Sequence, residues 1–357
     1  MFPRFCGLVL LIPLQFLLFV DFAGADEPGG VELVIGGRTK AEGGDWDPAG
    51  SPLKRPFGLD FDPQERMVIV ELEGGRVHRR DVDGSLTKIS GDGSESFRGD
   101  GGPAADATYN GMHNCAVTKN GDIYIADSWN HRVRKIDGST GTVSTIAGTG
   151  AAGYAGDGGP AVNAEFDFIM CISLTPAEDQ LLVADLKNRR IRSIDLTSGV
   201  VRTIAGNGQK GTPTDGTPAT QAPLQDPRAV AADSQGQVYV LERGGNALRV
   251  VRSDGTIHTV AGTGRRGDRD GSALKAEFGA PKHLCLDDQD RVYIADDENA
   301  VIRRYDPDTQ KVTTILGRSH GDPHLKLSHP HGVCWQNGAL YVVDSSQNRI
   351  LKLQPQP

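Results

Sequence analysis

The sequence has few of the features that mark nucleic-acid-binding and membrane proteins. Aromatic residues make up 6% of its 357 residues, the formal net charge is −8, and no block of basic residues occurs. A nucleic-acid partner is therefore not expected, because its phosphates require a positive surface. Beyond the N-terminal region no apolar run is long enough to cross a membrane, so the mature chain is expected to contain no membrane span.

The longest apolar run lies close to the N-terminus. Arg4 precedes the run from Gly7 to Val20, and the small residues Ala23 to Ala25 follow before Asp26. This order is typical of a cleaved secretory signal peptide. We therefore expect residues 1–25 to be removed and the protein to be secreted or periplasmic, with an uncleaved anchor as the alternative.

Three glycine-rich stretches have the spacing G-x-G-x-x-G. They are "AGTGAAG" from Ala147, "AGNGQKG" from Ala205 and "AGTGRRG" from Ala261. A dinucleotide site uses such a loop once, between a strand and a helix, whereas "YAGDGGPAVNAEF" after the first copy is a poor helix start. Recurrence at near-equal intervals predicts a repeat architecture instead, and no dinucleotide cofactor is expected.

The unit from Met112 to Gly150 shows what is repeated. It contains four short apolar segments, "MHNCAV", "DIYIAD", "RVRKID" and "TVSTIAG", separated by turn residues. This pattern is typical of an antiparallel meander. The second segment ends on an acid in six units, and these acids are Glu71, Asp127, Asp185, Glu242, Asp296 and Asp344. The fourth segment follows the third in only five of the six units. A sixth copy, Val31 to Gly37 ("VELVIGG"), lies before the first unit.

These counts predict an all-β fold, a six-bladed β-propeller with four-stranded antiparallel blades whose last blade is closed by the N-terminal strand. We expect one domain over residues 26–357 and a monomer. The blades are expected at about residues 56–93, 112–150, 168–208, 227–264, 281–317, and 330–353 together with 31–37.

The repeats resemble NHL repeats. In "GDIYIADSWNHRVRKID" the run Asn130, His131 and Arg132 stands at the position for which that family is named, and looser copies occur in the third and sixth units. The resemblance covers nearly all of the mature chain. It implies the propeller fold and no particular activity, because propellers serve as binding modules and as enzymes.

Six acids at equivalent positions resemble a ring of metal ligands, but their recurrence in every blade favours a structural role. An arginine follows five residues after the acid in four blades: Arg76, Arg132, Arg190 and Arg349. We expect each acid to pair with such a group or to cap a local turn.

A functional site is expected where the repeats differ. Innermost strands line a propeller's central channel, where ligands bind. After the leading residue of each such strand come Phe57, His113, Ile169, Arg228, Lys282 and His331. Asn114 follows His113, and His283 is offset by one position, which is expected to turn it to the other side of its strand. The candidate channel site comprises His113, Asn114, Arg228, His283 and His331.

Four cysteines lie on the same strands. Cys115 and Cys171 are expected to share one register, and Cys285 and Cys334 the next. Small buried thiols suit these positions, so we expect free thiols, with disulfides as the alternative in an exported chain.

The segment "HPHGVC" is similar to the Pro-His-Gly segments of peptidyl-α-hydroxyglycine amidating lyases, which are also six-bladed propellers. That resemblance implies a zinc ion held by three histidines, with His113 and His331 at the matching positions; gluconolactonase-like propellers are more distantly similar. Two functions stay open. One is an exported module that binds a protein, peptide or glycan, and the other is a metal-dependent lyase or lactone hydrolase that uses a divalent metal at the channel histidines.

Overall fold

Short segments of alternating side chains form the strands of this protein, as their period of two requires. The computed structural model describes residues 30–36, 51–318, 320 and 325–355. Within these residues the strands form six antiparallel sheets, and the helices are seven three-residue 3₁₀ turns. The sheets are the blades of a six-bladed β-propeller, which confirms the predicted fold. The predicted signal peptide, and Gly37 of the predicted closing strand, lie outside the described residues.

Each blade has four main strands that run from the channel to the periphery. The innermost strands are Pro56–Phe61, Met112–Val117, Ile169–Leu174, Pro227–Ala232, His283–Leu286 and Pro330–Gln336. The second strands are Met67–Glu71, Ile123–Asp127, Gln180–Asp185, Val238–Glu242, Val292–Asp296 and Ala339–Asp344. The third strands are Val77–Arg80, Arg132–Ile136, Arg190–Asp195, Ala247–Val251, Val301–Asp306 and Arg349–Leu353. The outermost strands are Leu86–Ser90, Val143–Ala147, Val201–Ala205, Thr256–Ala261, Lys311–Leu316 and Val31–Ile35.

The connections add short elements to this frame. Two-residue strands, Thr217–Pro218 and Gly271–Ser272, pair with the outer edges of blades four and five. The 3₁₀ turns are Ala104–Asp106, Ser128–Asn130, Ala161–Asn163, Ala219–Gln221, Ala273–Lys275, Asp297–Asn299 and Ser345–Gln347. Over the residues described, no helix is both long enough and apolar enough to span a membrane.

The N-terminal strand closes the ring. Val31–Ile35 pairs antiparallel with Arg349–Leu353, with Val31 opposite Leu353 and Leu33 opposite Leu351. The sixth blade therefore has the same four-strand order as the others although its outermost strand comes from the start of the chain. This confirms the predicted closure, which covers an edge that would otherwise expose unpaired backbone groups.

The glycine-rich stretches mark the exits of outermost strands. Gly148 and Gly150 follow Val143–Ala147, and both have a φ of +92°. A Cβ on Gly148 would overlap the carbonyl of His131 in the same blade. Glycine is needed there because it alone combines the left-handed backbone with so close an approach.

Apolar side chains from facing sheets fill the spaces between blades. Between blades two and three, for example, Val133, Phe166, Ile172 and Val183 belong to one buried cluster. Because each blade packs on its two neighbours, the six innermost strands are held at fixed positions around the channel. That fixed ring positions the candidate site.

Candidate functional site

The innermost strands bring one side chain from each blade to the start of the channel. In five blades the leading residue pairs with the blade acid, and these pairs are Pro56 with Glu71, Met112 with Asp127, Ile169 with Asp185, Pro227 with Glu242, and Pro330 with Asp344. The following residue is the first channel position. Its occupants are Phe57, His113, Met170, Arg228, Lys282 and His331.

The third blade differs from its predicted alignment. Ile169 pairs with Asp185 and so stands at the leading position, while Met170 takes the first channel position. The alignment was wrong by one residue because this strand begins with isoleucine rather than with the proline that marks the leading position in four other blades.

His331 lies at the centre of the cluster. Its Nδ1 is 3.0 Å from the carbonyl oxygen of Phe57, and its ring stacks on the Phe57 ring with centroids 3.6 Å apart. Nη2 of Arg228 donates to its Nε2 over 3.0 Å. These partners require a neutral imidazole with its proton on Nδ1. Burial, with Arg228 next in effect, holds the pKa of His331 well below its usual value.

His113 has the same tautomer and a similar environment. Its Nδ1 donates to the carbonyl oxygen of Gly111 over 2.7 Å, and its ring centroid is 6.1 Å from that of His331. Burial and the charge of Arg228 lower the pKa of His113 to about 3. Nε2 of His113 is therefore an unprotonated acceptor near neutral pH.

The offset of His283 does not remove it from the cluster, contrary to expectation. Its Nε2 is 2.9 Å from Nδ2 of Asn114, and its ring centroid is 6.3 Å from that of His331. In its own blade Lys282 donates its N–H to the carbonyl oxygen of Ala295, and Ala295 is also the residue opposite His283, so two successive residues face one residue of the second strand. Strict alternation of side chains does not hold there, and residues at successive positions reach the channel. Burial lowers the pKa of His283 to about 4.

These groups do not fit the zinc site that the lyase resemblance implies. Metal-binding histidines commonly donate Nδ1–H to a backbone carbonyl, as His113 and His331 do, so the test is what occupies each Nε2. Nε2 of His331 faces the Arg228 guanidinium, a cation that competes with a metal, and Nε2 of His283 is 2.9 Å from Nδ2 of Asn114. Across residues 30–36, 51–318, 320 and 325–355 no group of three or more histidine, cysteine, aspartate or glutamate side chains is placed to hold an ion. A tetrahedral zinc site requires three or four such ligands.

The blade acids form a repeated unit with arginines, of which all but Arg76 are buried. All six acids are fully buried, and their arginine partners are Arg76, Arg134, Arg192, Arg249, Arg303 and Arg349, with N–O distances from 2.7 to 3.7 Å. Each acid also accepts a backbone N–H from the loop that leads into the innermost strand, as Glu242 does from Gln225 over 2.5 Å. These contacts describe a scaffold element that every blade contains.

Two of the expected arginine partners are wrong. Arg132 and Arg190 donate to the carbonyl oxygens of Asn130 and Asn188, and the guanidinium that pairs with the acid comes two residues later in those blades. The first and third residues of a strand share one face, so alternation does not separate them. The guanidinium of Arg132 also donates to the carbonyl oxygen of Thr149 and that of Arg190 to Asn207, and these loop contacts hold both groups at the end of the blade.

The four cysteines are free, and their registers differ from the expected ones. Cys115 pairs with Ile125, two residues before its blade acid, whereas Cys171 pairs with Ala184, one residue before. Cys285 and Cys334 do share one register, opposite Tyr293 and Tyr341. Burial raises the pKa of all four thiols, so they are protonated at neutral pH.

A second opening lies at the other end of the channel. A cavity of about 340 Å³ reaches in to Asn114 and His283, with apolar walls that include Leu284 and Val333. Asp60 lies in its wall, and burial raises the pKa of this carboxyl to about 6. The carboxylate accepts N–H groups from Phe61 and Val117, so it links blades one and two. Sequence reasoning missed Asp60, although an acid inside an apolar innermost strand was the available signal.

The end of the channel at which the innermost strands begin is called the entrance here. Two residues after each blade acid a turn brings one side chain to this end, and these six residues form the entrance rim: Glu73, Trp129, Lys187, Gly244, Glu298 and Ser346. Trp129 is 39% exposed, and its ring lies 6.4 Å from that of His113. The sequence reasoning followed the acids and not the positions after them, and so missed this rim.

Comparison with known proteins agrees with the repeat. Residues 115–136 match the NHL repeat model. The chain is 26% identical over 326 residues to the protein SUPPRESSOR OF QUENCHING 1, chloroplastic, of Arabidopsis thaliana, with 85% of this chain and 30% of that protein covered. It is 26% identical over 340 residues to NHL repeat-containing protein 2 of Gallus gallus, with 84% and 46% covered. The chain thus aligns with less than half the length of these relatives.

Solved structures share the fold at low sequence identity. An auxiliary nutrient binding protein from Bacteroides thetaiotaomicron superposes with a TM-score of 0.64 at 15% identity, over 90% of this chain and 75% of that one. A gluconolactonase from Xanthomonas campestris superposes with a TM-score of 0.59 at 12% identity, over 91% and 89%. The chain is a six-bladed β-propeller that carries an NHL repeat, and at these identities the structural likeness concerns the fold alone.

Proposed function

We propose that this propeller is a binding module that holds a protein, peptide or glycan partner on the entrance rim. The observation that carries the proposal is the contrast between scaffold and rim. Every blade repeats the buried acid and the turn that follows it, yet the six rim positions hold an aromatic, a lysine, two glutamates, a serine and a glycine. A constant frame with variable side chains at one face is the arrangement that binding surfaces use.

Trp129 is the natural anchor of such a surface. The ring lies against Gly111, where a Cβ would overlap it, and so has a defined position above His113. Exposed tryptophans that are held rigidly contribute a large share of binding energy at protein interfaces. On the next blade Lys187 lies 3.9 Å from the ring centroid of Phe168, which adds a charged and aromatic pair to the same side of the rim.

A further observation supports binding over metal-dependent lactone or lyase chemistry. Nε2 of His331 accepts from Arg228, Nε2 of His283 is bonded to Asn114, and the described residues offer no three-ligand metal set. The shared fold favours neither function, because a nutrient binding protein and a gluconolactonase both have it.

Arrays of defined glycans and synthetic peptides test the proposal. We expect the chain to bind a subset of one class, and Trp129→Ala to weaken that binding about tenfold or more, as loss of an interface anchor does. Val82→Ala is the matched control, because Val82 is an exposed apolar side chain, 72% exposed, in the turn between the outer two strands of blade one. Lys119 lines the cavity at the other end of the channel. Binding that survives Trp129→Ala but is lost in Lys119→Ala would place the partner at that end and contradict the proposal.

We also propose that the chain is exported. The support is the order of Arg4, the apolar run from Gly7 to Val20 and the small residues before Asp26. Mass spectrometry of protein recovered outside the cytoplasm is expected to find Asp26 as the first residue. Recovery of intact residues 1–25 in the mature protein would contradict cleavage.

A further inference from the structure

Arg228 differs from every other deeply buried arginine of this propeller. Of the residues that the structure describes, five arginines are less than 4% exposed, and each pairs with a fully buried blade acid: Arg134, Arg192, Arg249, Arg303 and Arg349. Arg228 is 8% exposed, and no carboxylate of the described chain lies within ion-pair distance of it. The blade that supplies Arg228 already uses its acid, Glu242, to pair with Arg249.

The contacts of Arg228 leave much of its guanidinium unused. Nη2 donates to His331, and Nη1 lies 2.7 Å from the sulfur of Met170, which is a weak acceptor. Nε is buried and has no hydrogen-bond partner within the described part of the chain. A guanidinium has five N–H donors, so a buried one with a single good acceptor is far from satisfied.

The carboxylates of Asp297 and Asp226 act on Arg228 only from beyond ion-pair distance, and Asp297 is already paired with Lys282 and His329. His113, His283 and His331 all have lowered pKa values and are neutral at pH 7. Lys282, at the first channel position of the next blade, adds a second positive charge, and its own partner is Asp297 at 2.9 Å. Burial lowers the pKa of Arg228 to about 10, with Arg243 contributing next, so Arg228 remains a cation at neutral pH.

A buried cation without a counter-ion is costly, and an unpartnered donor adds to that cost. A ligand oxyanion would supply both the missing charge and the missing acceptor. We infer that Arg228 binds an oxyanion, a carboxylate or phosphate group, of a ligand that enters the channel from the entrance side. Lys282 lies on the neighbouring strand as a second cation for the same group. The inference rests on the proposed function in one respect, because it names the chemical group of the partner that the channel receives.

Small anions can test this site without the partner. The intact chain is titrated at pH 7 and constant ionic strength with sodium acetate or sodium phosphate against sodium chloride, and its melting temperature is followed. We expect a saturable rise with acetate, phosphate or both, because a ligand of the folded state stabilises it by mass action. A rise with acetate alone assigns a carboxylate and a rise with phosphate alone assigns a phosphate. A rise that chloride reproduces, or that does not saturate, overturns the inference.

Arg228→Met provides the decisive variant. It removes the charge while keeping an apolar stem beside Met170, and we expect its anion affinity to fall about tenfold or more, since hydrogen bonds to charged groups are strong. Without anions this variant is expected to melt at a temperature equal to or above that of the unchanged protein, because an uncompensated buried charge is lost. The matched control is Arg252→Gln, an exposed arginine in the turn between the outer two strands of the same blade, which is expected to keep saturable anion binding.

Two further measurements test the inference if Arg228→Met does not fold and separate it from the proposed function. If Arg228→Met does not fold, the ¹⁵Nε–¹H resonance of Arg228 in the unchanged protein is followed, and it is expected to shift with acetate or phosphate and not with chloride. Trp129→Ala is expected to keep anion binding while losing the array partner, so the two proposals fail separately. A folded Arg228→Met that melts lower without anions, and an unchanged protein with no anion response, would show that Arg228 is structural.

Discussion

Glu242→Gln is expected to lower the free energy of unfolding by about 3–5 kcal/mol, the cost of breaking a buried ion pair from one side. Oε2 of Glu242 accepts from Nε and Nη2 of Arg249, each over 2.8 Å, and Oε1 accepts the backbone N–H of Gln225. Arg249 has no second carboxylate within ion-pair distance among the residues that the structure describes. The amide of glutamine would therefore leave a buried cation unpaired and place an N–H against another donor. Urea denaturation followed by circular dichroism measures the change.

Two matched substitutions separate the buried pair from the loss of a charge in general. Glu73→Gln makes the same change where both partners are about half exposed, and is expected to cost less than about 1 kcal/mol. Asp185→Asn is expected to cost less than Glu242→Gln, because Arg192 keeps a second partner, Asp157, at 2.7 Å. Equal losses for Glu242→Gln and Glu73→Gln would contradict this account of the blade acids.

The sequence predicts the fold well because the information is repeated. The acid that ends the second strand occurs in six units, so one irregular unit does not obscure the count. The outermost strand of the sixth blade was predictable for the same reason. Five units contain their own fourth segment, and the copy before the first unit supplies the sixth. Exposed edges are unfavourable in any sheet protein, and pairing of Val31–Ile35 with the last strand removes one.

The site was less predictable because it depends on single residues. The sequence alignment placed Ile169 at the first channel position of blade three, whereas Met170 occupies it. The contact between the Met170 sulfur and Arg228 was therefore missed. The expected side of His283 was inferred from regular alternation, which fails in its own strand, where Lys282 and His283 both face Ala295. Local spacing also favoured Arg132 over Arg134, although only the latter faces Asp127. Such choices follow from three-dimensional packing, which one sequence does not contain.

Met170 and the three histidines explain why the channel retains an unpaired cation. These four groups are neutral, Lys282 adds a second positive charge, and no carboxylate of the described residues lies within ion-pair distance of Arg228. The imidazoles remain neutral because protonation would place further positive charge beside Arg228 in a buried space. The histidines and the arginine are therefore coupled, and the histidines should report on the channel through the pH dependence of stability.

His113→Asn is expected to reduce the loss of stability on acidification. The pKa of His113 in the folded protein is about 3, below its usual value of 6.5, because of burial and the charge of Arg228. A histidine with a lowered folded pKa favours folding above its unfolded pKa, and this contribution disappears as pH falls from 6.5 towards 3. Between pH 6.5 and 4 one such group accounts for about 3 kcal/mol at about 1.4 kcal/mol per pH unit. Asparagine keeps a donor near the carbonyl of Gly111 but does not titrate.

The measurement is the difference in unfolding free energy between pH 7.5 and pH 4, in the unchanged protein and in the variant. Asp127 and Asp185, whose pKa values burial raises to about 6 and about 7, act in the opposite direction, since they favour folding at low pH. They are present in both proteins, so their effect cancels in the comparison. His258→Asn, on an outermost strand away from the channel, controls for removing a histidine elsewhere. If His113→Asn leaves the difference as large as in the unchanged protein, then His113 is protonated as easily in the folded channel as in the unfolded chain, and the neutral, positively flanked channel described here is incorrect.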